Sequence, residues 1–309
     1  MADTSDGRHN EPLISAVITT YRRPASILKR AVESAACQTW PNLEILVVND
    51  APEDAELADA IGVMLEEMQD PRIRYLVHEA NAGPCRARNT GILASRGAFL
   101  AFLDDDDEWL AEKLERQLAG FTGPEIGMVY SPFYNVTKDL PGEPTAYGGR
   151  SGNLLEDLLR NNDIGGTSIP LIRREVFDVC GLFDEHLQSS QDYDMWLRIA
   201  QHYEIQYVDE LLSRRYIQAQ CITADPAKQV QGVNAFTDKH LALYAEHPKA
   251  LNYRLNRKVN KWLEMGWFHE AGQLWRQALQ VQLMSHYNIT EPLKGLVRHV
   301  IYCREACDK

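Results

Sequence analysis

Four consecutive carboxylates, Asp104, Asp105, Asp106 and Asp107, end an apolar run in the stretch AFLAFLDDDDEW over 98–109. Like charges in a row repel one another, and burial at the end of a strand strengthens the repulsion. A hard divalent cation relieves it. Magnesium or manganese is held by one or two carboxylates, with substrate phosphates completing the shell. The competing reading is local: Asp106 or Asp107 caps a helix that LAEKLERQL predicts over 109–119, where the dipole favours an acid. Capping accounts for one aspartate and leaves three unexplained.

A second acidic group, Gln191-Asp192-Tyr193-Asp194, opens a helix predicted from about Asp192 to His202. Aspartate at a helix start is commonly a cap. Facing the same cleft as the first group, Asp192 could instead take the proton of a hydroxyl attacking opposite a metal-bound leaving group.

The elements that must hold these groups follow a regular rhythm. LISAVIT (13–19), LEILVV (43–48) and the run before Asp104 read as buried strands, and RIRYLVH (72–78) as a more exposed one. Helices are predicted from 26 to 37, from about Glu53 to Asp70 and after the Gly-Pro turn of NAGPCRARNTGI. Continuous apolar strands alternating with helices imply a doubly wound, mostly parallel α/β sheet flanked by helices. Open sheets of this kind bind ligands at the carboxyl ends of their strands. The polar groups there are Thr19, Thr20 and Tyr21; Asp50; Arg86, Arg88 and Asn89; and Asp104 to Asp107. Arginines beside metal-binding acids suit a diphosphate.

Further along, GMVYS (127–131) is a short strand and the Pro- and Gly-rich stretch 132–149 is expected as a mobile loop. A strand at 168–172, a helix ending at Gly181 and a strand-like stretch over 205–217 follow. Helices are predicted over 226–246, 249–264, 267–284 and 291–306, a C-terminal helical extension that could form a small bundle. The expected division is a disordered segment 1–11, an α/β domain 12–224 and a helical region 225–309, with the boundary near 220–226.

Composition excludes some classes. The net charge of −12 argues against a nucleic-acid partner. From Ala245 onward ten Lys and Arg face six Asp and Glu, so a mildly basic tail follows an acidic body. The final helix suits docking on the bundle, pairing with a second chain, or a membrane surface. Six cysteines lack a paired framework or metal spacing, and the polar start MADTSDGRHNEP has no secretory core. The expected location is the cytoplasm or the inner face of the membrane, peripherally. His78, His202 and His269 read as structural or surface groups, and Trp262, Trp267, Phe268 and Trp275 as core packing. Phosphate loops, G-x-G-x-x-G after the first strand, G-x-S-x-G and H-E-x-x-H are all missing from the sequence.

Taken in order, ISAVITTYRRP, VVNDAPED, NAGPCRARNTGI, FLDDDDEW, LIRREVFDVCGLFDEHL and QDYDMWLRIA resemble the inverting family-two glycosyltransferases of the GT-A fold, over about 13–220. The resemblance implies a hexosyltransferase that moves a sugar from a nucleotide-sugar, UDP-linked or similar, to a hydroxyl of a glycan or lipid-linked acceptor. It implies nucleotide contacts at Thr19, Thr20, Tyr21 and Asp50, a diphosphate contact at Arg88, and a D-x-D pair, Asp104 and Asp106, on manganese or magnesium. Asp105 is grouped with the nucleotide contacts. Asp192 matches the general base, and Gly165, Gly166, Thr167 and Gln191 fall where donor or acceptor sugars approach. Asn49 and Ala51-Pro52 depart from the usual acidic Gly-Ser motif. Gln191 replaces the usual glutamate, which predicts a less basic Asp192, and a further metal-binding histidine has no counterpart in SRRYIQAQCIT. The alternative is a noncatalytic module that binds a nucleotide-sugar or glycan.

Overall fold

A computed structural model describes residues 11–137, 140–144, 149–217, 226–281, 288, 290–296 and 298. In chain order the elements begin with β1 (Ile14–Thr20), α1 (Ala25–Ala36), β2 (Leu43–Asn49), α2 (Ala55–Glu67), β3 (Ile73–Val77), α3 (Pro84–Ala94) and β4 (Phe99–Asp104). Next come β5 (Glu108–Trp109), α4 (Lys113–Leu118), β6 (Ile126–Tyr130), β7 (Tyr134–Thr137), β8 (Leu140–Pro144), α5 (Leu155–Arg160) and β9 (Leu171–Arg173). The remainder are α6 (Glu175–Cys180), α7 (Gln191–Ala200), β10 (Glu204–Tyr207), β11 (Ser213–Tyr216), α8 (Pro226–Lys239), α9 (Leu241–Glu246), α10 (Pro248–Glu264) and α11 (Phe268–Val281).

The described residues form two compact units. One holds those up to Leu154, Asp163–His186 and 191–217; the other holds Leu155–Asn162, Leu187–Ser190 and those from 226 onward.

The first unit is built on a seven-stranded sheet, β10-β6-β9-β4-β1-β2-β3, flanked by helices. β3, β2, β1 and β4 run parallel, β10 runs parallel to β6, and β9 is antiparallel to both neighbours. The apolar runs exist because both faces are covered. Ile14, Ala16 and Ile18 of β1 share a core with Leu28, Ala31, Val32 and Ala35 of α1, while Val17 points the other way, toward Gly91 of α3. The register then fixes the site: Thr19 lies beside Asp104 and Val48, Thr20 beside Asn49, and Asn49 beside Val77. A smaller sheet, β5-β11-β7-β8, completes the unit.

Several expected elements change. The helix expected from 109 starts at Lys113, because Glu108 and Trp109 instead pair with Arg214 and Ser213 of β11. The expected loop over 132–149 contains the β7–β8 hairpin within its described part. The single strand expected over 205–217 is two strands in different sheets, β10 and β11. The helix over 226–246 divides at His240 into α8 and α9. The segment 1–10, the boundary region up to 225 and most of the helix expected over 291–306 lie outside the described residues.

The second unit is helical. α10 packs on α11 and α5, burying Leu251, Leu255, Val259 and Trp262 against Ala271, Leu274 and Ala278. Tyr244 donates to the Leu159 carbonyl at 3.0 Å. Trp262 is core as expected, but Phe268 is 50% exposed and Trp275 39%, its indole N–H held by the Asn288 carbonyl. They lie off the face that α11 buries with Ala271, Leu274 and Ala278.

Candidate active site

Beyond β4 the chain turns sharply, the Asp107 amide donating to the Asp104 carbonyl at 3.0 Å, so the four acids point in different directions. Asp104 accepts from Arg88 Nη2 at 2.9 Å and Thr167 Oγ1 at 3.0 Å, both on Oδ1. Asp105 turns inward and accepts from Thr20 Oγ1 at 2.8 Å and Arg23 Nε at 2.9 Å. Asp106 accepts from Arg23 Nη2 at 3.0 Å, and its main-chain carbonyl from Arg30 Nη2 at 2.6 Å. Asp107 accepts from Ser168 Oγ at 2.6 Å and the Tyr216 amide at 3.2 Å. It therefore does not cap α4, whose first turn begins six residues later; it ties the acidic turn to β11 and to the 165–168 loop.

Burial sets the acidity of this turn. It pushes Asp105 up to about 6, against the opposing pull of Arg23 and Thr20. Asp106 is also raised, by burial first, with Arg23 lowering it and Asp104 raising it. Asp107 rises through burial and the nearby charge of Asp104. Burial lowers Arg23, but Asp105 and Asp106 outweigh it and leave its pKa raised. The turn thus sets four carboxylates near Arg23 and Arg88, and one guanidinium already spans two of them. That chemistry fits a divalent ion held by Asp104 and Asp106, since such ions take only one or two protein carboxylates. Among the described residues no cluster of three or more His, Cys, Asp or Glu side chains is poised around one ion.

On the neighbouring strand ends Thr20 is buried and bonded to Asp105, whereas Tyr21 is 45% exposed with the Arg22 guanidinium 5.3 Å from its ring centre. Asp50 is buried and already engaged. It accepts from the amides of Ala82 and Gly83, at 2.9 and 2.7 Å, and from Asn81 Nδ2 at 3.1 Å. His78 Nδ1 lies 2.7 Å from its Oδ1, and His78 Nε2 lies 2.9 Å from Thr90 Oγ1. The carboxylate thereby shapes the 78–83 loop beside the edge. Asn49, at the departure from the usual motif, bonds Tyr75 and the Ala51 amide.

The base candidate stands on a helix rather than at a strand end. Asp192 lies on the first turn of α7, and burial raises its pKa; the Tyr193 amide and Arg88 pull it down, and Asp104 pushes it up. Asp192, Arg88 and Asp104 are thus within electrostatic reach of one another. Burial acts in the direction opposite to the loss of basicity expected from Gln191. Asp194, by contrast, is fully buried and paired with Arg198 at 2.8 Å, and that arginine also binds the Leu182 carbonyl. One acid of the pair faces the site and the other holds the helix. Gly165, at φ 105° where a side chain would be strained, offers its carbonyl to Trp196 Nε1 of α7 at 3.0 Å. Space beside Gly166 is open, and Thr167 reaches Asp104. The 165–168 loop therefore joins the helix of Asp192 to the acidic turn.

Two residues expected at this edge serve elsewhere. Arg86 is exposed and reaches Glu185, and Asn89 is buried, bonding Phe183 and Glu185. Four others were not singled out by their spacing: Arg23, Arg30, Ser168 and His78 as a partner of Asp50. Arg23 precedes α1 and Arg30 lies within it, both more than seventy residues before the acids they bind, so no local pattern marks them.

A mostly parallel sheet with this polar edge is the architecture of GT-A glycosyltransferases. The family description "Glycosyl transferase family 2" matches residues 15–181, and the chain belongs to that family. An Escherichia coli relative, "UDP-Glc:alpha-D-GlcNAc-diphosphoundecaprenol beta-1,3-glucosyltransferase WfgD", is 30% identical over 188 residues, 60% of this chain and 69% of the relative. The aligned part spans from 29% to 82% of other relatives' lengths. Among solved structures, Staphylococcus aureus TarS 1–349 in complex with UDP-GlcNAc superposes with a TM-score of 0.62 at 17% identity, covering 95% of this chain and 92% of that one. The mannosyltransferase PcManGT from Pyrobaculum calidifontis, in complex with GDP-Man and Mn2+, does so with a TM-score of 0.59 at 17% identity, covering 94% and 88%. At these identities the likeness is one of fold.

Proposed function

We propose that the chain is an inverting glycosyltransferase that moves a hexosyl group from a nucleotide-sugar, with UDP as carrier, to a hydroxyl of a glycan or lipid-linked sugar. In this reading residues 12–224 make the transferase domain. The observation that carries it is the meeting of Asp192, Arg88 and Asp104, with the base raised by burial and the acids joined to it through the 165–168 loop. WfgD, named for a UDP-glucose donor and an undecaprenol-linked acceptor, supports the substrate class.

Asp192 takes the acceptor's proton as its oxygen attacks the anomeric carbon from the side opposite the diphosphate. Arg88, whose Nε is buried without an acceptor, offers donors for a phosphate oxygen. Thr19, Thr20, Tyr21 and Asp50 line the nucleotide side, Asp105 braces Thr20, and Gly165, Gly166, Thr167 and Gln191 border the sugar. Asp104 and Asp106 are proposed to hold manganese or magnesium, a role that the Mn2+ in the PcManGT complex supports. Such an ion, when bound, neutralises charge on the departing diphosphate.

Asp192→Asn tests the assignment: transfer should fall by about 10²–10⁴-fold while nucleotide binding persists. Full turnover in the variant rejects the base. Asp106→Ala should weaken nucleotide binding only when metal is present, and unchanged metal dependence rejects the D-x-D role. Release of free UDP from donor plus acceptor distinguishes a transferase from a binding module.

No described helix is long and apolar enough to cross a membrane. The second unit nevertheless exposes Met265, Phe268, Leu293 and Leu296, and residues 257–298 carry six Lys and Arg against three Glu. Apolar side chains among basic ones suit an anionic bilayer surface, where a lipid-linked acceptor resides.

A further inference from the structure

Arg23 occupies an unusual place in the acidic turn. Arg22 before it adopts φ 49°, a left-handed conformation that side chains rarely take, and extends outward to Glu53 with 58% of its side chain exposed. Arg23 turns inward and forks across two carboxylates, Nε to Asp105 at 2.9 Å and Nη2 to Asp106 at 3.0 Å. Asp106 is one of the two acids proposed for the metal, so a guanidinium and a divalent ion compete for the same carboxylate.

Their competition has a natural resolution. A planar guanidinium matches a phosphate as well as it matches a carboxylate. The main chain at Asp106 is held independently: Arg30, 3.7 Å above the Tyr216 ring, donates to the Asp106 carbonyl at 2.6 Å. The Asp106 side chain can therefore exchange partners without the turn unravelling.

We propose that Arg23 is an internal counter-cation that holds Asp106 until the donor's diphosphate arrives, then moves to the diphosphate and releases Asp106 to the metal. This rests on the nucleotide-sugar reading. It makes metal and nucleotide binding reciprocal, each strengthening the other by one shared factor. Arg23 is a positioning residue in this scheme. It keeps the unliganded turn neutralised and prevents an ion from settling there before the donor does.

The test is calorimetric titration of MnCl2 into the full chain, with and without UDP and separately GDP, after subtracting the Mn2+–nucleotide association measured without protein. The wild type should bind Mn2+ about tenfold more tightly when a nucleotide is present. Arg23→Gln should bind Mn2+ alone about tenfold more tightly than the wild type and lose most of the nucleotide enhancement. Arg23→Lys, which keeps the charge, should restore much of the wild-type pattern. A merely structural arginine predicts weaker Mn2+ binding on removal, so a gain is diagnostic. If Arg23→Gln is not folded by circular dichroism, Arg23→Met is read in its place. The proposal is overturned if the uncharged variant binds Mn2+ alone no more tightly than the wild type while nucleotide binding persists. Failure of the wild type to bind UDP or GDP under any condition removes the nucleotide-sugar reading as well.

Discussion

Asp192 carries opposite consequences for activity and for stability. Burial favours its protonated form, so its folded pKa lies above the value of about 3.9 for a free carboxylate. An acid raised in this way favours the fold below the unfolded pKa, and the benefit is lost as pH rises through the folded one. At neutral pH the ionised side chain therefore costs stability. Asp192→Asn, expected to be impaired in transfer, should melt at a higher temperature than the wild type at pH 7, and the gain should vanish under acid. The acid limb of the wild-type transfer profile should correspondingly be shifted upward from that of a free aspartate. Cys85 offers a second check at this scale. Its thiol is buried and pushed up to about 11 by burial, leaving about one thiolate in a thousand at pH 8, whereas Cys37 is exposed. Iodoacetamide at that pH should modify Cys37 in the folded chain and spare Cys85, as peptide mass spectrometry will register. The roles within DDDD and QDYD were only half legible beforehand. That the acids would gather at a strand end follows from the sequence, but which acid faces which partner depends on Thr20, Arg23, Ser168 and Tyr216, and all of these are distant in sequence.

Among the elements, β1, β2 and β4 announce themselves, because a strand covered on both faces must be apolar throughout. β5 and β11 do not. They are two and four residues long, and their pairing joins positions more than a hundred residues apart, so the local signal of LAEKLERQL prevailed and the helix was expected too early. The same tertiary contacts took Asp107 away from its expected cap. The packing of α3 on β1 gives the test at this scale. A Cβ at Gly91 would lie 2.2 Å from Val17 Cγ1, a fully buried side chain. Gly91→Ala gains up to about 1 kcal/mol of helix propensity, but overpacking costs about 1–3 kcal/mol, so the variant should be less stable by urea denaturation. Combining it with Val17→Ala should recover part of the loss, and strict additivity of the two substitutions would show that they do not touch.

For the molecule as a whole, charge is distributed unevenly between an acidic body and a basic end. Vesicles containing phosphatidylglycerol should sediment the full chain at low salt, while neutral phosphatidylcholine vesicles should not, and 0.5 M salt should release it. Phe268→Asp with Leu296→Asp should abolish sedimentation and leave release of UDP from a soluble acceptor unchanged. Binding to both vesicle types alike would exclude the electrostatic part of the contact.

The strand order also carries a schedule. β3, β2, β1 and β4 are neighbours in the sheet and come from the first 104 residues, whereas Asp192 follows 88 positions later. Chains fold from the N-terminus as they are synthesised. On the ribosome, the edge bearing Thr20, Asp50 and Asp104 is available before the strands that flank it on the other side, β9, β6 and β10, are complete, and before the base has been made. Under the proposed function, the residues assigned to the nucleotide are thus in the chain before the one assigned as the base.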